Sequence, residues 1–435
     1  MFSHLSLHRL LLKALAELNY RQPTPVQEQT IPLALEGLDL QVCAETGSGK
    51  TVAYLLPMLH RLLSRASPDA GCRALVLLPT RELAQQVFEG CQSLIKHTRL
   101  EAALLCGGEE FDAQARQLER RNPAIVIATT GRLVEHLDRG LVDLAALDVL
   151  VLDEADRMLD LGFSDEVLKI VAASPRQRQT LLFSATLSNK WLPFVARKVL
   201  QAPEIIEVSG GRAAHSNIHE QVILADDDEH KQKLVRWLLA NEHYEKALIF
   251  VNSRAHADKL SGDFVRMKLR LAVLHGEVEQ IKRNRVMALL REGKVNILIA
   301  TDLAARGLDI DGVDLVINFE MARRGDDYIH RIGRTGRGER EGLAVTLIKS
   351  TEWNLKASIE RYLKHRFEPR TISGLEANYR GPKKLKASGQ AAKGKKSKKK
   401  KKKGDKKTKQ RKRVRQNIGK RRKASAGSSA PGASS

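Results

Sequence analysis

Short apolar runs without in–out alternation recur along the first 350 residues, separated by stretches whose apolar positions fall at helical spacing. One group is Gln41–Cys43, Ala74–Leu78, Ala124–Ala128, Val149–Leu152 and Thr180–Phe183. A second group is Ala247–Val251, Leu271–Leu274, Val295–Ile299, Leu315–Phe319 and Leu343–Ile348. Val/Ile/Leu runs of this kind predict strands covered on both faces, hence parallel sheets with crossover helices. The groups are separated by the glycine-rich, aperiodic stretch Val208 to His215, which reads as a hinge. The pattern therefore predicts an α/β protein of two tandem parallel-sheet domains, consistent with a length of 435 residues.

The two ends differ from this pattern. In the first eighteen residues Leu11, Leu15 and Leu18 share one helical face, and no cleavable secretory signal is expected there. Beyond about Ser373 the apolar periodicity stops, and Lys398–Lys403 is an unbroken lysine run. Residues 381–423 hold 23 Lys or Arg against one acid, Asp405, so almost all of the net charge of +23 lies in this stretch. Such a segment buries too little apolar surface to offset chain entropy and is expected to be disordered. Its charge density suits a polyanion better than solubility alone. The four cysteines, all within the first 106 residues and without a C-x-x-C pair, suggest reduced thiols and a cytoplasmic setting rather than a metal cage. No run long enough for a membrane span occurs, so no membrane partner is expected.

Chemistry-bearing residues cluster after the strands. Ala44, Glu45, Thr46, Gly47, Ser48, Gly49, Lys50 and Thr51 join a strand to a helix, the context of a phosphate loop. There backbone N–H groups face an anion, the lysine reaches the terminal phosphates, and Thr51 can ligate Mg²⁺. Asp153 and Glu154 follow a buried strand, and such a pair can hold the metal and activate water. Read alone, the pair could equally be a helix start complementing the dipole. His330 to Arg337 carries Arg331, Arg334 and Arg337 in the second domain, which has no phosphate loop, so it reads as arginine fingers acting across the hinge. Ligands of open α/β sheets bind at the carboxyl ends of the strands, where these clusters stand.

In order and content these motifs resemble the DEAD-box family of ATP-dependent RNA helicases, over residues 1 to 365. The resemblance implies two RecA-like domains, ATP and Mg²⁺ as cofactors, RNA as partner, and RNA-stimulated ATP hydrolysis. It implies a Q-motif region at 1–28, an ATP-binding domain at 29–208, a linker at 209–217, a second domain at 218–372 and a basic tail at 373–435. Phe2, Tyr20 and Gln27 would serve adenine, with Thr24 in support, while Lys50, Asp153, Glu154, Arg334 and Arg337 would be catalytic. Thr51 and Asp153 would hold the metal, with Glu154 the general base and Asp302 assisting nucleotide contacts. Ser184, Thr186, Asp156 and His330 would couple hydrolysis to closure. RNA backbone contacts would come from Arg81, Gly108, Thr129, Gly131 and Arg132, and from Arg254, Gly276, Gln280, Arg283 and Thr301. An aromatic content of 4% offers few stacking platforms and favours backbone recognition.

Two motifs depart from the family pattern. Thr130 stands where proline is usual, and Asn318 to Ala322 replaces the common N-x-D-x-P. Thr129 to Arg132, Asn417 to Lys423 and the lysine-rich tail resemble the bacterial SrmB-type branch, associated with assembly of the large ribosomal subunit. The expected function is local unwinding of short RNA duplexes or remodelling of RNA–protein complexes by a monomer, with ribosomal RNA and ribosomal proteins as partners. An ATP-gated RNA clamp and a DNA-directed translocase stay open as alternatives.

Overall fold

The computed structural model describes residues 1–391 apart from 45–46, 66–70, 186–191, 209–216, 267–268, 306–309, 311, 337–339 and 387. The expected hinge at 209–216, Glu45, Thr46, Thr186, Arg337 and the basic tail from 392 therefore lie outside the described residues.

The first sheet contains β1 (Leu40–Cys43), β2 (Ala74–Leu78), β3 (Ala102–Leu105), β4 (Ile125–Thr129), β5 (Val149–Leu152), β6 (Gln179–Ser184) and β7 (Glu204–Glu207). Its order is β3-β4-β2-β5-β6-β1-β7, and every pairing is parallel. The second contains β8 (Ile218–Leu224), β9 (Lys246–Val251), β10 (Leu271–Leu274), β11 (Ile297–Thr301), β12 (Val313–Asn318), β13 (Gly342–Ile348) and β14 (Glu368–Pro369). Its order, β10-β11-β9-β12-β13-β8-β14, repeats the first and is again parallel.

Burial explains the absence of alternation. Along β2 the side chains of Ala74, Val76 and Leu78 enter one core while Leu75 and Leu77 enter the core on the opposite face. The second sheet repeats this, with Leu248 and Phe250 on one side and Ala247, Ile249 and Val251 on the other. All ten predicted strands form, each within two residues of its expected ends. Four further strands were not expected: β3, β7, β8 and β14. β7 is an edge strand with only Ile206 buried, and β8 carries His219 at an exposed position and Glu220 and Gln221 at half-covered ones, so neither offers a continuous apolar run.

Two terminal expectations are corrected. Leu11 and Leu15 are buried as predicted, but Leu18 lies past the end of the helix Arg9–Glu17 and is 40% exposed. The chain also does not leave the fold at Ser373. Asp226 accepts hydrogen bonds from the Asn378 N–H, the Asn378 side-chain amide and the Tyr379 N–H at 3.0, 3.0 and 2.7 Å. Farther on, the Trp353 indole N–H donates to the Gly389 carbonyl at 3.1 Å and the Ala391 N–H to Asn354 at 2.8 Å. Polar anchors of this type carry no apolar periodicity, and the described residues of 374–391 are strapped to the second domain by them.

Candidate active site and RNA-facing loops

Strand β1 delivers the phosphate loop. The Ala44 N–H donates to the Ser184 carbonyl at 3.0 Å, so the loop starts in register with the end of β6. Gly49 is left-handed (φ +94°), and a Cβ there would lie 2.6 Å from the Gln27 amide nitrogen. Only glycine allows that approach. Gln27 joins the two segments: its amide donates to the Gly49 carbonyl at 3.0 Å and its oxygen accepts from the Thr24 N–H at 2.9 Å. Tyr20 stands 43% exposed over the cavity mouth, with buried Phe2 edge-on behind it at 6.5 Å. Phe2 thus supports Tyr20 from below and does not itself line the cavity.

That cavity has a volume of about 550 Å³ and is lined by Tyr20, Gln27, Lys50, Thr51, Asp153 and Glu154 of the first domain together with Arg334 of the second. Lys50 Nζ is held in the loop by the Ala44 carbonyl at 2.9 Å. Asp153 sits at the end of β5, and burial pushes its carboxyl up to about 6, against the lowering pull of the Lys50 ammonium. The Tyr54 hydroxyl donates to its Oδ2 at 3.0 Å and the Glu154 N–H to its Oδ1 at 2.9 Å. Glu154 is a buried non-glycine residue in the left-handed region (φ 52°), a conformation that costs about 1–3 kcal/mol and recurs at functional sites. Its carboxylate is ion-paired to Arg157, which is 2% exposed. Tyr54 and Arg157 were not expected at the site. Tyr54 sits in an apolar helix segment and Arg157 in an acidic one, and each signal is absorbed by its neighbours.

The His330–Arg337 segment divides by role. Arg334 reaches the nucleotide cavity, whereas Arg331 is 1% exposed and organises the second domain. Arg331 grips both oxygens of Asp302 at 2.6 and 2.8 Å and donates to the Asn252 side chain and the Glu320 carbonyl at 2.6 Å each. Asp302 is therefore engaged by Arg331 and does not line the cavity containing Lys50. Glu320, one of the departures from the family pattern, accepts from the Asn252 N–H at 2.7 Å and so holds β12 to the segment after β9. Asp156 and Ser184 are buried, and His330 lines a small space beside Asp302, Asp327 and Arg334.

Three of the first-domain RNA candidates form one cluster. Gly108 is left-handed (φ +82°), and a Cβ there would fall 1.9 Å from an Arg81 nitrogen, so the Arg81 guanidinium lies flat against the Gly107–Gly108 backbone. Arg132 donates to the Glu109 carbonyl at 3.2 Å, beside the same loop. Thr129 ends β4, and Thr130 and Gly131 open the helix Thr130–Asp138. Thr130 is the first helical residue, where a backbone N–H has no intrahelical partner, so proline and threonine are interchangeable there. In the second domain a cavity of about 530 Å³ is lined by Asn252, Arg254, Gly276, Thr301 and Arg323, with Arg254 ion-paired to Glu277. Gln280 and Arg283 of the second domain both meet Glu82 of the first. Arg283 is 9% exposed and pairs with Glu82 of the first domain at 2.6 Å, while Gln280 donates to the same carboxylate at 3.3 Å. A guanidinium this desolvated requires a carboxylate partner, and these two residues close the seam between the domains.

Among the described residues no cluster of three or more His, Cys, Asp or Glu side chains could cage a metal ion. A divalent ion here would be held by Asp153 and Thr51 with phosphate oxygens and water, the manner in which Mg²⁺ is usually bound. With a phosphate loop and two adjacent carboxylates in the first domain and an arginine supplied by the second, the site defines a tandem RecA-like nucleoside triphosphatase. The chain belongs to the DEAD-box family of ATP-dependent RNA helicases. Residues 24–192 match the DEAD/DEAH box helicase family and residues 229–339 match the helicase conserved C-terminal domain. It is 40% identical over 382 residues to the ATP-dependent RNA helicase SrmB of Escherichia coli (strain K12), covering 88% of this chain and 86% of that one. Its fold is similar to S. cerevisiae Dbp5 bound to RNA and ADP BeF3, with TM-score 0.76, 28% identity, and coverage of 85% and 95%. It is also similar to Mss116p bound to ssRNA and AMP-PNP, with TM-score 0.75, 28% identity, and coverage of 84% and 78%.

Proposed function

We propose that this ATP-dependent RNA helicase separates short RNA duplexes locally, by closing its two domains on Mg²⁺–ATP and one RNA strand, in assembly of the large ribosomal subunit. The observation that carries the first part is Arg334, brought from the second domain into the cavity of Lys50, Asp153 and Glu154. Mg²⁺–ATP supplies the transferable phosphoryl group and the cation that offsets its charge. Lys50 would bind and orient the terminal phosphates, and Thr51 and Asp153 would hold the metal. Glu154, fixed by Arg157, takes a proton from the attacking water. Arg334 and Arg337 stabilise charge on the phosphoryl oxygens, and the site is complete only when the domains meet.

RNA is gripped by its backbone through Arg81, Gly108 and Arg132 on one side and Arg254, Gly276 and Thr301 on the other. Residues 381–423 tether polyanionic RNA, a reading supported by their charge. Ribosomal RNA as the target rests on the likeness to the SrmB-type branch. The test is strand separation of matched RNA duplexes of about one and about three helical turns, with ATP. Release of the short duplex alone is expected; equal release of both, or of neither, contradicts local unwinding. Deleting 381–423 should raise half-saturating RNA at least tenfold at low salt, each decade being about 1.4 kcal/mol.

A further inference from the structure

Gln114 lies on the helix Phe111–Arg121, in a segment rich in charged residues, yet its side chain is 3% exposed and uses its full hydrogen-bonding capacity. Its amide nitrogen donates to the Cys106 carbonyl at 2.9 Å and to a Glu109 carboxylate oxygen at 2.8 Å. Its oxygen accepts from Arg132 Nη1 at 3.0 Å and pairs with His136 Nε2 at 3.1 Å. Since the Gln114 oxygen can only accept, His136 carries its proton on Nε2. Burial holds that imidazole neutral, with its pKa lowered to about 4. Stacking of His136 on Phe111 at 4.3 Å, with the Arg139 guanidinium 4.0 Å over the other ring, fixes the helix that carries Gln114.

The partners belong to two separate segments. Cys106 and Glu109 bracket the Gly107–Gly108 turn, and Arg132 and His136 lie on the helix after β4. We propose that Gln114 is a positioning residue for RNA: it locks the glycine turn and Arg132 into one rigid surface, so that both engage the same stretch of RNA backbone. This rests on the reading that Gly108 and Arg132 face RNA. Arg132 Nη1 donates to Gln114 and Glu109, and the guanidinium is ion-paired to Glu135 at 2.9 Å, which leaves Nη2 as the donor for a phosphate. Without Gln114 the turn and the helix would be joined only by the 3.2 Å hydrogen bond from Arg132 to the Glu109 carbonyl, and RNA binding would have to supply the rest of their ordering.

The test separates the two halves of the amide. Gln114→Glu keeps the acceptors for Arg132 and His136 but sets a carboxylate against the Cys106 carbonyl and Glu109. Adding Glu109→Gln returns a donor at the second of these. Steady-state ATPase of the full chain titrated with single-stranded RNA should show half-saturating RNA raised about tenfold in Gln114→Glu, with a much smaller change in kcat at saturation. The double variant should recover most of that loss. Unchanged half-saturation in Gln114→Glu, while Arg132→Ala raises it, would overturn the positioning role. A fall in kcat without a shift in RNA half-saturation, unrescued by Glu109→Gln, would equally overturn it by marking Gln114 as structural support alone. An unchanged value in Arg132→Ala would overturn the placement of RNA here, and the positioning role with it.

Discussion

The Tyr54 hydroxyl donates to Asp153 Oδ2 at 3.0 Å, in surroundings where both side chains are buried. The ring is set edge-on to Phe183 at 5.2 Å, so the direction of this hydrogen bond is fixed by packing. Tyr54→Phe keeps that packing and removes the donor. The expected outcome is about tenfold more Mg²⁺ needed for half-maximal ATPase, with little change at saturating Mg²⁺, as for the loss of a group that orients a metal ligand. A Mg²⁺ titration of both proteins checks it; superimposable curves would refute the orienting role.

Burial holds the Asp153 carboxyl up at about 6, against an ordinary value of 3.8. A carboxyl raised in the folded state binds its proton there first, so its contribution to stability is fully present below about 4 and is lost as pH rises through about 6. Asp153→Asn removes this titration. In protein without nucleotide, the variant should therefore gain thermal stability over the native chain above about pH 6, and the gain should shrink as pH falls to about 4. Melting curves across that range measure the difference, and a constant offset contradicts the assignment.

Asp226 holds the strap at 374–391 through two backbone N–H groups and one amide. These hydrogen bonds keep its carboxyl below the ordinary value, so the anchor weakens only when pH falls through that lowered range. Asp226→Ala should release the strap and speed tryptic cleavage at Arg380, Lys383 and Lys384, all of them exposed, without a matching change in cleavage of the first domain. Mass spectrometry of the early fragments gives the comparison. Identical early cleavage in both proteins would show that Trp353 and Asn354 suffice.

Much of the architecture is legible in the chain, because a strand buried on both faces must be apolar throughout. β2, β5 and β9 announce themselves for that reason. β7 and β8 do not, since edge, exposed and half-covered positions tolerate Glu204, His219 and Gln221 respectively. At the site, Lys50, Asp153 and Glu154 are legible because their spacing after strands is itself the signal. Gln114 is not, because a glutamine in a charged helix looks solvated until the fold brings Cys106 and Arg132 to it. Arg283 and Gln280 share a helix face, which the sequence displays. Their partner Glu82 lies 198 positions from Gln280, and pairing at that distance is a product of the tertiary fold alone.

Arg324 grips Asp160 of the first domain with two parallel hydrogen bonds of 3.0 and 2.6 Å, away from the nucleotide cavity. Asp327 supports the same guanidinium from its own helix at 3.2 Å. The pair is partly exposed, so its contribution is screened by solvent and modest, and it acts on the closed arrangement. Arg324→Ala should raise half-saturating RNA in the ATPase assay about three- to tenfold, because closure then loses one of its own contacts. An unchanged RNA dependence would show that Glu82 with Arg283 carries the seam without it.

The central claim is that hydrolysis is switched on by RNA through a site shared between the two domains, with Glu154 as its base. Steady-state ATPase of the full chain without polymer, with single-stranded RNA and with DNA of matched sequence, in native protein and in Glu154→Gln, tests it most directly. Strong stimulation by RNA, little by DNA, and loss of turnover by more than a hundredfold in the variant are predicted. Equal stimulation by DNA, or an active Glu154→Gln enzyme, would contradict the account.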